Sequence, residues 1–194
     1  MPPDCADDTH PRTCCATCGQ PLGCRTTDKL TGLLDRWAWD KAATEILDQV
    51  GDQPAVLLML DLDRFKEIND THGHLAGDAV LRAIASVVRG AVRQMDIVGR
   101  YGGHGGDEFL VLLPHTDEAG GKRFISRVRA GLDVVLRGTG CDSISLGAAT
   151  SRKDEVLAAT VARADAAMYA SKPKARPVPE RLRATPPDLR RSPR

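Results

Sequence analysis

The chain has 194 residues, 42% of them apolar and 27% charged, with a net charge of +1. That length holds one domain with a proper core and short appendages, and leaves no room for a second enzyme domain. The longest apolar run, 55–60, is far short of the roughly 20 residues that a membrane span needs, and the first 25 residues lack the apolar stretch of a secretion signal. A cytoplasmic protein without a membrane partner is therefore expected.

Three zones are expected: a Cys-rich head over 1–26, a globular domain over 27–176 and a tail over 177–194. Cys5, Cys14, Cys15, Cys18 and Cys24 crowd the head, and Cys141 lies in the body, so a disulfide framework through the core is not expected. The tail mixes Pro177, Pro179, Pro186, Pro187 and Pro193 with arginines. It has little to bury and should be disordered.

In chain order, the spacing of Trp37, Ala38, Ala42, Ile46, Leu47 and Val50 predicts a helix over 35–50. Residues 55–62 read as a buried strand that ends in acidic residues. Val80, Leu81, Ile84, Val87, Val88 and Val92 form one stripe of a second helix, with Asp78 at its start, where a carboxylate suits the helix dipole. Strands over 97–101 and 108–113 flank a Gly-rich turn and read as a hairpin. A helix over 118–136, a strand over 142–149 and a helix over 154–171 complete an α/β layer fold with a mixed central sheet flanked by helices.

Two features carry chemistry. Asp61 and Asp63 sit at the end of the buried strand, where residues two apart share a face, and hard carboxylate oxygens beside a phosphate site suit Mg²⁺. The second is Gly102-Gly103-His104-Gly105-Gly106-Asp107-Glu108-Phe109, whose glycines permit positive φ and close approach of backbone N–H groups to a phosphate. Each feature alone also fits a solvated acidic turn.

Their order and spacing resemble the GGDEF family of diguanylate cyclases over about 150 residues. The likeness runs from Asp28-Lys-Leu-Thr-Gly-Leu-Leu-Asp-Arg36 through Asp61-Leu-Asp-Arg-Phe-Lys-Glu-Ile-Asn-Asp70, Gly73-His74 and Gly77-Asp78 to Gly105-Gly106-Asp107-Glu108-Phe109. It ends at Ala164-Asp165-Ala-Ala-Met-Tyr169, Lys172 and Arg176. The resemblance implies a fold similar to the palm of nucleotide cyclases and polymerases. It also implies condensation of two GTP molecules into cyclic di-GMP and pyrophosphate, with two Mg²⁺ (or Mn²⁺) ions per site and a homodimer, because each domain binds one GTP. No nucleic-acid polymer is implied as a partner.

By the same resemblance, Asp61, Asp107 and the carbonyl of Leu62 hold the metal, and Glu108 is a further ligand or helps deprotonate the attacking hydroxyl. Asn69 and Asp78 read the guanine edge. Backbone N–H groups around Arg64, Phe65 and Lys66, with the charges of Lys66, Lys172 and Arg176, hold phosphates. Arg93 and Asp96, an Arg-x-x-Asp pair spaced five residues before Gly102-Gly103, match the family's product-inhibition site.

The sequence departs from that pattern in its turn, where the family runs Arg-Tyr-Gly-Gly-Asp-Glu-Phe and this chain carries three extra residues. Counted from Arg93 the glycine pair is Gly102-Gly103; counted back from Asp107 it is Gly105-Gly106. The alternative function is accordingly a catalytically silent module that binds cyclic di-GMP or GTP as a regulator. Ala175 and Pro177 also replace the Gly and Asn usual around Arg176. In the head, Cys15-Ala-Thr-Cys18 looks like one knuckle of a zinc ribbon; Cys5, His10, Cys14 and Cys24 are at hand to complete a structural Zn²⁺ site, which needs four ligands, and free thiols are the alternative.

Overall fold

A computed structural model of the chain describes residues 27–102, 106–137 and 143–173. The head, the tail, Gly103, His104, Gly105, Cys141 and Arg176 lie outside the described residues, and with them every candidate zinc ligand.

Helix α1, Arg36–Val50, opens where the Asp35 carboxylate accepts from the Ala38 amide at 2.9 Å and closes at Gly51, φ 57°. Strand β1, Val56–Leu62, is buried along its whole length. Two helices follow, α2 (Phe65–His72) and α3 (His74–Ala91), joined at a corner by Gly73 with φ 82°. Strands β2 (Ile97–Arg100) and β3 (Glu108–Leu113) form the hairpin. Helix α4 (Glu118–Leu136), strand β4 (Ile144–Thr150) and helix α5 (Leu157–Ser171) complete the order.

The four strands run β2-β3-β1-β4. The α/β layer fold expected from the sequence is present, but among the described residues the mixed pairing is confined to one parallel bridge, Leu34 to Gly99, and the strand ladders are antiparallel. Alternation along β1 divides the core. Val56, Leu58, Leu60 and Leu62 pack with Val80, Leu81, Ile84 and Val88 of α3 and with Phe124, Val128 and Leu132 of α4. Leu57 and Met59 point to the other face, against Trp39 and Ala43 of α1 and Ala164 and Met168 of α5. The helices thus form one layer on each side of the sheet, and the odd-numbered residues of β1 face α5.

Two sequence expectations shift. Trp37, counted in the apolar spacing of α1, is 45% exposed with Lys41 over its ring, and Trp39, outside that count, is fully buried. Gly99 of β2 explains the exchange: a Cβ there would lie 2.6 Å from the Trp39 ring, so the missing side chain is the indole's seat. Asp78 was placed at the start of its helix, but α3 begins at His74 because Gly73 ends one helix and starts the next. The helix α2 itself was not anticipated.

Candidate active site

Antiparallel pairing sets Glu108 opposite Asp61, and the pleat turns both side chains to the α5 side of the sheet. Asp61 is 7% exposed. Lys172, just past the end of α5, reaches its Oδ1 at 2.9 Å. Burial works against the Lys172 ammonium, but the Asp61 hydrogen bond and the charges of Asp61, Asp63 and Asp107 outweigh it and raise its pKa.

Asp107 sits at the turn, and burial, followed by the Asp61 charge, pushes its carboxyl above the ordinary range despite a backbone hydrogen bond and the opposing charges of Lys172 and Arg100. Glu108 is raised likewise, first by burial, then by Asp61, Asp107 and Asp165. Three carboxylates therefore share one partly dry corner.

Asp63 has a different task from its neighbour two residues earlier. Its two oxygens accept from the hydroxyls of Ser143 (2.6 Å) and Ser145 (2.7 Å), tying the end of β1 to the start of β4.

A cleft of about 570 Å³ is lined by Asp61, Leu62, Asp63, Arg64, Phe65, Lys66, Glu67, Asp107, Lys172 and Pro173. Its floor bends at Arg64, which has a left-handed backbone (φ 60°) and directly precedes α2. A left-handed residue leading into a helix start turns successive N–H groups toward one concavity that suits an anion. Among the described residues no set of three or more His, Cys, Asp or Glu side chains is placed to hold a metal ion; the Lys172 ammonium stands against Asp61 in this arrangement. The donors themselves, two carboxylates with a backbone carbonyl beside an anion-binding corner, are those Mg²⁺ takes.

Asn69 on α2 and Asp78 on α3 are brought together by packing of the two helices. A Cβ on the buried Gly77 would lie 2.0 Å from Asn69 Oδ1, so glycine there gives the amide its place. Asp78 is half-buried, with Arg82 one turn on at 3.9 Å.

Arg93 and Asp96 lie at the far end of β2 from the Gly-rich turn. The Arg93 amide donates to Asp96 Oδ2 at 2.7 Å, while the Asp96 amide donates to the Arg93 carbonyl at 3.1 Å. Asp96 Oδ1 is buried and has no hydrogen-bond partner among the described residues. Burial raises this carboxyl, opposed by Arg93 and by the charge of Arg127 on α4. Arg127, which the sequence pattern did not single out, donates to the Ala91 carbonyl at 2.8 Å; the signal was a separation of more than thirty residues that only packing of α4 beside α3 closes.

The chain was compared with known proteins. The family model described as "Diguanylate cyclase, GGDEF domain" matches residues 25–177. The diguanylate cyclase DgcP of Pseudomonas aeruginosa is 39% identical over 152 residues, covering 75% of this chain and 22% of that protein. DgcZ of Escherichia coli is 35% identical over 149 residues, covering 75% and 49%. Among solved structures, the GGDEF domain of DgcB from Caulobacter crescentus in complex with c-di-GMP matches with a TM-score of 0.68 at 31% identity, over 75% of this chain and 89% of that one. Diguanylate cyclase SiaD from Pseudomonas aeruginosa, in complex with its activator SiaC, matches with a TM-score of 0.66 at 36% identity, over 75% and 57%. The chain spans between 22% and 49% of the length of these curated relatives.

Proposed function

Because the chain belongs to the GGDEF diguanylate cyclase family, we propose that it condenses two GTP molecules into cyclic di-GMP, each of two facing domains holding one GTP. The observation that carries this reading is the register of the hairpin on β1. Despite the three extra residues, Glu108 stands opposite Asp61, and Asp107 lies within the field of Asp61, Lys172 and Arg100.

In this reading Asp61, Asp107 and the Leu62 carbonyl hold two Mg²⁺ or Mn²⁺ ions, with Glu108 a further ligand or an aid to deprotonation. When bound, such ions lower the pKa of the attacking 3′-hydroxyl and neutralise charge on the departing pyrophosphate. The chain's own groups supply position. Amides at Arg64, Phe65 and Lys66 hold the terminal phosphates together with the Lys66 and Lys172 ammonium groups. Lys172 exchanges its Asp61 partner for phosphate oxygen as the substrate enters. Gly106, at φ 69°, presents the turn; Gly105 and Arg176, assigned the same phosphate task, lie outside the described residues. Asn69 and Asp78 accept from the guanine edge, the amide oxygen and the carboxylate matching its N1 and N2 hydrogens.

Gly77→Ala tests the guanine assignment. Its Cβ displaces the Asn69 amide, so KM for GTP is expected to rise about tenfold, equivalent to about 1.4 kcal/mol, with kcat within a few-fold of the parent in steady-state assays. An unchanged KM would remove Asn69 from the guanine site.

Product inhibition is assigned to Arg93 and Asp96. The exposed side chain of Arg93 supports it, free to reach outward and pair with phosphate in the forked manner of a guanidinium, beside the Asp96 carboxylate that the Arg93 amide holds at 2.7 Å. In Arg93→Ala the cyclic di-GMP concentration that halves the rate is expected to rise at least about tenfold at an unchanged initial rate. An unchanged inhibition curve would exclude this site. Turnover of GTP with Mg²⁺ or Mn²⁺ tests the function as a whole.

A further inference from the structure

We propose that Arg100 is a positioning residue for the active turn, its guanidinium joining the Gly106 carbonyl to the Asp28 carboxylate and so holding Asp107 in place in an enlarged hairpin loop. The proposal rests on the reading of Asp107 as part of the reaction site.

The hairpin closes where the Tyr101 amide donates to the Glu108 carbonyl at 2.8 Å. Six residues of sequence separate Tyr101 from Glu108, three more than in the family's Arg-Tyr-Gly-Gly-Asp-Glu-Phe pattern. The extra length adds only about 0.5 kcal/mol of closure entropy, but positional freedom is the larger hazard, since misplacing a catalytic group by about 1 Å costs on the order of a hundredfold.

Arg100 answers that hazard with bonds on two sides. Its Nε donates to the Gly106 carbonyl at 2.7 Å, and its Nη1 to both oxygens of Asp28 at 3.1 and 3.2 Å. The Gly106 carbonyl and the Asp107 amide belong to one planar peptide group, so fixing the first fixes the second. Asp28 is a firm anchor because it also accepts from the Thr31 amide at 2.8 Å and hydroxyl at 2.7 Å. The Arg100 and Asp28 side chains are 16% and 24% exposed, mostly shielded from water, where an ion pair keeps more of its strength than on an open surface. Gly106 completes the fit: a Cβ there would lie 3.0 Å from Arg100 Nη2, at a backbone φ of 69° that side chains rarely adopt.

The test is a cycle in two backgrounds, the native chain and one lacking Gly103, His104 and Gly105, which restores the shorter pattern. In the native chain, Arg100→Ala is expected to speed amide exchange at 106–109 and to lower kcat about a hundredfold with KM within a few-fold. Arg100→Lys should rescue little, because an ammonium does not present the planar fork that spans both acceptors. In the shortened chain the same substitution should cost less than about tenfold. Asp28→Asn, a substitution outside the turn itself, should raise exchange at 106–109 in the native chain and guards against an Arg100→Ala that fails to fold. Equal costs in both backgrounds, or unchanged exchange in Asp28→Asn, would overturn the proposal. Absence of turnover from both parent chains would instead sink the cyclase reading, while the exchange data would still decide the role of Arg100.

Discussion

Asp107→Asn is expected to lower cyclic di-GMP formation on the order of a thousandfold or more while the metal-free protein melts at an equal or higher temperature. The two effects share a cause. Burial and the Asp61 charge raise the Asp107 carboxyl in the folded state, so between its unfolded and folded pKa values the native state binds the extra proton and stability falls as pH rises. At neutral pH the ionised carboxylate is therefore a cost to folding, held against that cost by a use for its charge. An amide of the same shape removes the repulsion and the function together. Product quantification and a thermal melt check this; retention of more than a tenth of the activity would take Asp107 out of the site.

Gly147→Ala is expected to be the most destabilising methyl added at any of the described glycines. Gly147 pairs with Met59 midway along the edge strand β4, and a Cβ would lie 2.1 Å from the Met168 amide nitrogen and 2.3 Å from the Ala164 carbonyl oxygen. These are backbone atoms, which no rotamer change moves aside. Separating α5 from β4 to make room opens the core around Ala164 and Met168, at a cost of about 3 kcal/mol or more. Activity should fall further than stability requires, because the same helix sets Lys172 against Asp61. Urea unfolding checks the stability loss; a loss below about 1 kcal/mol would mean that α5 is more loosely seated than these contacts indicate.

Where local pattern decides structure, the sequence was readable. The unbroken apolar run before Asp61 is β1, the two short apolar segments on either side of the glycines pair as β2 and β3, and the stripe from Val80 to Val88 packs on the sheet as its spacing requires. Most candidate residues drawn from the family motifs line the cleft or lie on α2 and α3. What escaped was decided by partners distant in sequence. Trp39 rather than Trp37 is buried because Gly99 leaves it a seat. Helix α2 buries only Phe65 and Ile68 among polar neighbours, too few to show a period. Asp63 looked equivalent to Asp61 until Ser143 and Ser145, some eighty residues on, occupied both its oxygens. Arg100 read as part of a motif, and its bonds to Asp28 and Gly106 give it a purpose that spacing does not reveal.

The most direct measurement is the product ratio from GTP and Mn²⁺ at protein concentrations that favour dimers. Two pyrophosphates released per cyclic di-GMP by the native chain, and neither by Asp107→Asn, is the expected result. Saturable GTP or cyclic di-GMP binding with no product from the native chain would contradict it and make the domain a silent binding module.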